Sequence, residues 1–400
     1  MSPGSQRVAP EREEVAKQML AICPDPIRVC HIASGDRWAG AEAQIAALLP
    51  ALSKRGDVRV SAIFLNEGRL ADETRRCGVE VCVLREREYG FLRILDGAAR
   101  FLRGKDVRIL HSHRYKENML ATMLACRCNV PALVRTQHGA PEPFGGWRRV
   151  RRSVLGFVDR LTARHFTDCV VSVSEELCAG ISRYVRPGRL AVIHNAIDLE
   201  AVISPLSVGE AKVRAGIPAS CPVVGAVGRL EPIKRLDLFL RAAREIADRV
   251  PNTRFLVAGE GSEEDRLRRL AENLGLSRTV AFLGQRNNVY DVLRAMDVLV
   301  LCSDHEGLPT SLLEALYLHV PVVARPVGGI PEVIEQEVGG VLVNSSEPSA
   351  LADASIALLA DGRRREQLAA AGSGLVARRF SVERAASEMV RLYRKLGERR

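Results

Sequence analysis

Aromatic residues are scarce in this chain, at 4% of its 400 positions. Proteins that hold single-stranded nucleic acid stack its bases on aromatic rings along a basic groove. Aromatics are too few among the arginines here to form a stacking platform, and no zinc-finger or RNP-like motif occurs, so nucleic acid is not expected as a partner. Long apolar runs are lacking too. Stretches such as Val298 to Cys302 fall far below the roughly 18 residues of a spanning helix, and no membrane crossing is expected. The ten cysteines are scattered from Cys23 to Cys302 without C-x-x-C pairs, the nearest being Cys126 and Cys128. That pattern is neither a zinc site nor a disulfide framework, and it reads as small buried hydrophobes in a reducing compartment. The first 27 residues hold Glu11, Glu13, Glu14 and Asp25 and no apolar core, so they do not read as a secretory signal. They are taken as a loose extension of a cytosolic protein.

Charge is present in excess of one sign. Lysine and arginine number 58 against 48 acids, a net +10. Dividing at residue 205 gives 31 minus 23, or +8, for the first part and 27 minus 25, or +2, for the second. With nucleic acid set aside, a basic half suits anionic lipid or a phosphorylated substrate.

From residue 28 onward short β-rich runs alternate with helix-length amphipathic stretches, the pattern of parallel α/β units. Seven candidate strands run from Arg28 to Ala33, Val58 to Leu65, Val79 to Leu84, Val107 to His111, Ala132 to Thr136, Cys169 to Val173 and Leu190 to Ile193. Pro205, Pro218 and Pro222 then interrupt the rhythm, and six more follow, at Val223 to Val227, Arg254 to Ala258, Val280 to Leu283, Val298 to Cys302, Val322 to Ala324 and Gly340 to Val343. The expectation is two doubly wound Rossmann-like domains facing across a cleft, over 28–205 and 206–380, after the extension 1–27. Residues 381–400 form a last helix expected to pack back on the first domain. In such sheets ligands bind outside the carboxyl ends of the strands.

Two loops there carry chemistry. After Val223 to Val227 comes Gly228-Arg229-Leu230-Glu231-Pro232-Ile233-Lys234, then a helix from about Leu236, which sets two cations and free amides where a phosphate docks. Only seven lysines stand among the 58 basic residues, so one at this place is informative. After Val298 to Cys302 comes Glu306-Gly307-Leu308-Pro309-Thr310-Ser311-Leu312-Leu313-Glu314-Ala315. Pro309 suits a first helical position, leaving the amides of Gly307, Thr310 and Ser311 at the positive end of a helix. Glu306 precedes that helix and Glu314 lies inside it, so two carboxylates flank the phosphate position and can bond polyhydroxy groups.

These segments, with Gly259-Glu260-Gly261, Val320-Pro321-Val322-Val323-Ala324 and Gly328-Gly329-Ile330-Pro331-Glu332, closely resemble the retaining glycosyltransferases of family 4, which have the GT-B fold. In the first half the resemblance continues through Trp38-Ala39-Gly40-Ala41-Glu42, His111-Ser112-His113, Gln137-His138-Gly139, Val173-Ser174-Glu175 and His194-Asn195-Ala196-Ile197-Asp198. It implies that Arg229 and Lys234 neutralise the diphosphate of a nucleotide sugar, helped by Gly40, Gly307 and Leu308. It implies Glu314 at the ribose, Glu306 at the transferred sugar and His138 near the anomeric centre. His113 and Asn195 are candidates for the acceptor side of the cleft, along with loops such as Arg37 to Ala39, Arg114 to Asn118 and Ala140 to Trp147. Glycine is usual in the family where Ala39 and Ala196 stand. His111, alternating with His113 along its strand, is read as core.

No cofactor and no metal are expected, because the chain holds no Asp-x-Asp pair of the kind that binds a divalent ion in other glycosyltransferases. The resemblance implies transfer with retention, by front-face attack, to a saccharide or lipid-linked acceptor in surface-polysaccharide assembly. The protein would then be cytoplasmic and able to sit on the inner face of the membrane. A nucleotide-sugar epimerase on the same architecture and a non-catalytic nucleotide-sugar-binding scaffold are the alternatives. Between Trp147 and Phe166, Arg148, Arg149, Arg151, Arg152, Arg160 and Arg164 surround a stripe of Val150, Val154, Phe157, Val158 and Leu161. This is either a helix lying on anionic lipid or one packed on the core with a solvated basic face. The packed reading is favoured, since a helix is expected before the strand at Cys169.

Overall fold

The structure is a computed structural model that describes residues 25–36, 38–139, 147–335 and 338–398, with backbone alone over 147–155. The N-terminal segment 1–24, Arg37 and the stretch 140–146 named above lie outside the described residues, as do the side chains of the first four arginines of the basic helix.

Among the described residues thirteen strands form two parallel sheets. The first holds β1 (Ile27–Ala33), β2 (Val58–Phe64), β3 (Glu80–Val83), β4 (Ile109–Ser112), β5 (Ala132–Gln137), β6 (Cys169–Ser172) and β7 (Leu190–Val192), in the order 3-2-1-4-5-6-7. The second holds β8 (Val223–Val227), β9 (Arg254–Ala258), β10 (Val280–Gly284), β11 (Val298–Leu301), β12 (Val322–Ala324) and β13 (Gly340–Leu342), in the order 10-9-8-11-12-13. The order reverses between β1 and β4 in one sheet and between β8 and β11 in the other. At such switch points the loops leave in opposite directions and open a crevice.

Period-two alternation divides the first domain's core. Val29 and Ala33 of β1 face the helix Gly40–Ser53 together with Ile109, Val134 and Val171. Cys30 and Ile32 face the helices Phe91–Leu102 and Tyr115–Cys128 through Leu95, Leu120 and Leu124. Both faces of a parallel sheet are covered in this way, so its strands are largely apolar, with His31, His111 and Arg135 as buried exceptions.

The last helix, Val382–Gly397, belongs to the first domain's core although the chain reaches it from the second. Ser381 caps it by accepting from the Arg384 amide, and Ala385, Ala386, Met389, Val390, Tyr393 and Leu396 pack with Val29, Leu49 and Leu52. The return point is stitched to the exit point. The Ile197 amide donates to the Phe380 carbonyl at 3.0 Å, and the Val382 amide donates back to Ile197 at 2.9 Å. Two adjacent crossings thus join the domains.

Since Met389 fills the first domain's interior from this returning helix, Met389→Ala is expected to lower that domain's stability by about 2–5 kcal/mol, the range for a methionine deleted from a core. Denaturant unfolding followed by first-domain probes measures it; a loss confined to the second domain would contradict this packing.

Candidate functional site

The two switch-point crevices face each other, and two helix starts meet between them. The helix Gly40–Ser53 opens at the turn after β1, and the helix Thr310–Tyr317 opens after β11. Gly40 lies so near the second helix that a Cβ on it would sit 4.0 Å from Thr310 Oγ1. Each helix start carries about half a positive charge on unpaired amides. Neither cap supplies an oxygen, because the capping positions are Ala39 and Pro309. Pro309 therefore stands one position earlier than expected: its ψ of 127° is extended, and Thr310 is the first helical residue. Ala39 is also extended, with φ −143°, a conformation open to any residue, so alanine serves there.

Lys234 ends a 3-10 turn, Pro232–Lys234, after β8. Its Nζ lies 2.5 Å from Glu306 Oε1, which also accepts from Ser303 Oγ at 2.6 Å. The Glu306 side chain is only 8% exposed, so this acid and base compensate each other in a dry place. Arg229 is half-buried on the same loop. That loop is held by close backbone contact: Gly259 has φ +139°, and a Cβ there would lie 1.9 Å from the Gly228 carbonyl oxygen.

Glu314 points from the Thr310 helix into the same region. It keeps some surface open to the cleft but is enclosed by protein, and desolvation pushes its carboxyl up to about 7 from an ordinary 4.5. Tyr290, at the start of the helix Tyr290–Arg294, faces it, and burial together with the Glu314 charge raises the phenol. Arg69 also acts on Tyr290 and stacks over the Trp38 ring at 3.8 Å. Sequence reasoning missed Tyr290 and Arg69, since neither stands in a motif; only the folded chain brings Tyr290 within electrostatic reach of both Glu314 and Arg69.

At the seam Gly307 abuts His138, and a Cβ there would come within 2.1 Å of the His138 carbonyl oxygen. Leu308 buries its side chain in the second domain, and its carbonyl accepts from Asn195 Nδ2 at 2.7 Å. Asn195 is thus a tether between domains, with Oδ1 left without a partner. His113, expected on the acceptor side of the cleft, lies enclosed in the wall of a small cavity that it shares with His138 and Asn195. It is 3% exposed, with Nε2 against His31 at 3.0 Å and Nδ1 against His138 at 3.2 Å. A ring engaged at both nitrogens supports His138 from behind. His111 lies in the core as read, bonded to Tyr393 at 2.6 Å and Thr136 at 2.7 Å. Asn118, in another loop assigned to the acceptor, is likewise occupied internally by Ser112 at 2.7 Å and Asp159 at 2.9 Å. Glu332 gives the seam a further clamp. It accepts from the Glu175 and Glu176 amides at 2.8 and 3.3 Å and from His194 at 2.7 Å, all in the first domain.

With this geometry in view, the chain was compared with known proteins. Residues 209–374 match the model described as glycosyl transferases group 1, and residues 38–201 match glycosyltransferase family 4. The chain belongs to that family and has the GT-B fold. It is 32% identical over 266 residues to the D-inositol 3-phosphate glycosyltransferase of Mycolicibacterium gilvum, covering 61% of this chain and 57% of that protein. The matched part thus spans little more than half that relative's length. It is 28% identical over 273 residues to the Escherichia coli UDP-Gal:alpha-D-GlcNAc-diphosphoundecaprenol alpha-1,3-galactosyltransferase, covering 66% and 69%. Among solved structures, Anabaena HepE in complex with UDP-glucose superposes with a TM-score of 0.81 at 20% identity, over 92% of this chain and 100% of that one.

The raised Glu314 carboxyl gives a signed prediction. A group whose pKa is higher folded than unfolded loses stability as pH rises from its unfolded value through its folded one. Ligand-free protein therefore loses this contribution between about pH 4.5 and about pH 7. Glu314→Gln lacks the loss, so its melting temperature relative to the parent should rise across that window; a constant difference would contradict the burial of the acid.

Proposed function

We propose that this protein transfers a sugar from a nucleoside-diphosphate sugar to a saccharide or lipid-linked acceptor, with retention of configuration and without a metal. The observation that carries the reading is the meeting of two helix starts beside Lys234 and Arg229. The two sets of amides and the two cations form one anion site, and a diphosphate is the anion whose size and charge match it. Departure of a nucleoside diphosphate builds charge on its terminal phosphate, so cations and dipoles already in place stabilise the transition state more than the ground state. Such a site needs no divalent ion to do so.

Each residue then has a task. Arg229 and Lys234 hold the diphosphate with the Gly40, Gly307 and Leu308 segments, Glu314 accepts the ribose hydroxyls, and Glu306 orients the transferred sugar. When donor arrives, its phosphate takes over Lys234 from Glu306 and frees that carboxylate for the sugar. His138 stands by the anomeric carbon. Attack comes from the face the leaving group departs from. The acceptor oxygen forms the new bond, the old bond to phosphate breaks with its electron pair, and that phosphate takes the acceptor's proton. No enzyme nucleophile is assigned.

The nature of the relatives supports the substrate classes. HepE binds UDP and UDP-glucose, and the Escherichia coli relative acts on a diphosphoundecaprenol-linked sugar. A lipid-linked acceptor agrees with the first domain's outer helices. No helix among the described residues is long and apolar enough to cross a membrane. In the basic helix, Trp147–His165, however, Phe157 is 62% exposed and Leu161 is exposed, with Ala163 turned inward. The helix thus packs on the domain through Ala163 and the half-buried Val158, while Phe157 and Leu161 of the stripe stay outside. Leu92 at 75%, Phe91, Tyr115 and Met123 are exposed on the two adjoining helices. Exposed apolar residues among arginines suit the inner face of a cytoplasmic membrane.

Two results test this reading. Arg229→Ala should weaken UDP binding by on the order of 2–3 kcal/mol, the value of a charge-assisted hydrogen bond; unchanged affinity in calorimetry would remove the assignment. Release of nucleoside diphosphate should depend on acceptor and survive EDTA. Loss of turnover that magnesium restores would refute the metal-free claim, and turnover without acceptor would favour an epimerase.

A further inference from the structure

Behind His138 runs an unbroken line of buried polar groups. Thr136 Oγ1 bonds His111 Nε2 at 2.7 Å, and His111 Nδ1 bonds the Tyr393 hydroxyl at 2.6 Å. The hydroxyl bonds His31 Nε2 at 3.2 Å, His31 Nδ1 bonds His113 Nε2 at 3.0 Å, and His113 Nδ1 bonds His138 Nε2 at 3.2 Å. The line ends at His138 Nδ1, a buried atom without a partner, in the wall of a small cavity that Asn195 shares. Its placement follows from the sheet: His31 and His111 are direct neighbours across β1 and β4, and the last helix lays Tyr393 over them.

Ring nitrogens of His31, His111 and His113 gather within 4.8 Å of one another, as in a metal site. The ring nitrogens of all three are, however, already engaged, by one another, by Tyr393, by Thr136 and by His138. Desolvation holds His31 and His138 down at about 3 and His111 and His113 well below the ordinary value, which favours the neutral form of all four rings. A neutral imidazole has one donor nitrogen and one acceptor nitrogen. The whole line must therefore point one way or the other.

In the forward direction Thr136 gives its proton to His111, each ring donates through Nδ1, Tyr393 donates to His31, and His138 presents Nδ1–H. In reverse, every ring donates through Nε2 and His138 presents a bare Nδ1. The reverse run also leaves the Thr136 hydroxyl proton to find another acceptor in the buried end of β5. We propose that Tyr393, His31, His111 and His113 are positioning residues that fix His138 as the Nδ1–H tautomer, so that the residue beside the reacting centre is a donor. The link to the reacting centre rests on the transferase reading, but the tautomer is a property of the ligand-free protein and is measured without activity.

The test is long-range proton–nitrogen correlation NMR on full-length protein with 15N-histidine. Expected is one dominant His138 tautomer, protonated at Nδ1. Losing a single buried hydrogen bond shifts such a balance about tenfold, so Tyr393→Phe and Thr136→Val should each give a tautomer mixture, and Thr136→Ser, which keeps the hydroxyl, should restore the single form. Thr136→Val carries the test if the Tyr393 variant fails to fold. A parent protonated at Nε2, or a tautomer unmoved in the folded variants, would overturn the proposal. So would stoichiometric zinc that shifts His31, His111 and His113 together.

Discussion

Two helices that begin at the same place present like charge to each other, and this structure is organised around that conflict. The Gly40 and Thr310 helix starts approach closely, and Lys234 and Arg229 add two full charges nearby. Glu306 holds Lys234 and is itself pinned by Ser303. An arrangement that gathers this much positive potential in a partly dry cleft is poised for a polyanion.

Close approach has to be permitted by the chain. At Gly307 a side chain would strike the backbone of His138, so glycine is what lets the second domain's loop reach the first domain. Polar clamps then fix the seam: Asn195 on the Leu308 carbonyl, Glu332 on the start of the helix at Glu175 and on His194, and the paired strand segments at Ile197 and Ser381. The returning helix completes the arrangement, filling the first domain's core and placing Tyr393 beneath the histidines that back the site.

Most of the architecture was legible because parallel strands covered on both faces are short apolar runs that alternate with helices. All thirteen appear where the pattern put them, with ends moved by a residue or two, as at Val79 and Val107, which precede the strands proper. The loops proposed to hold phosphate were legible as loops at strand ends because glycine, cations and helix starts stand together in sequence. The interaction of Tyr290 with Glu314 and with Arg69 was not, because those residues lie far apart along the chain. The engagement of His113 at both ring nitrogens was not legible, because a strand pattern gives the face a residue occupies but not its partners. Which residues of the basic helix face inward was not legible either, because an amphipathic period does not say how the helix is rotated on the domain, and here Ala163 is turned inward and Phe157 outward.

The most direct measurement is a crystal structure of the protein with a nucleoside diphosphate. The account predicts the diphosphate between the Gly40 and Thr310 helix starts, touching Arg229, with Lys234 moved from Glu306 to a phosphate oxygen and the ribose at Glu314. A nucleotide bound elsewhere, or bound with the Lys234–Glu306 pair intact and no phosphate contact from either helix start, would contradict it.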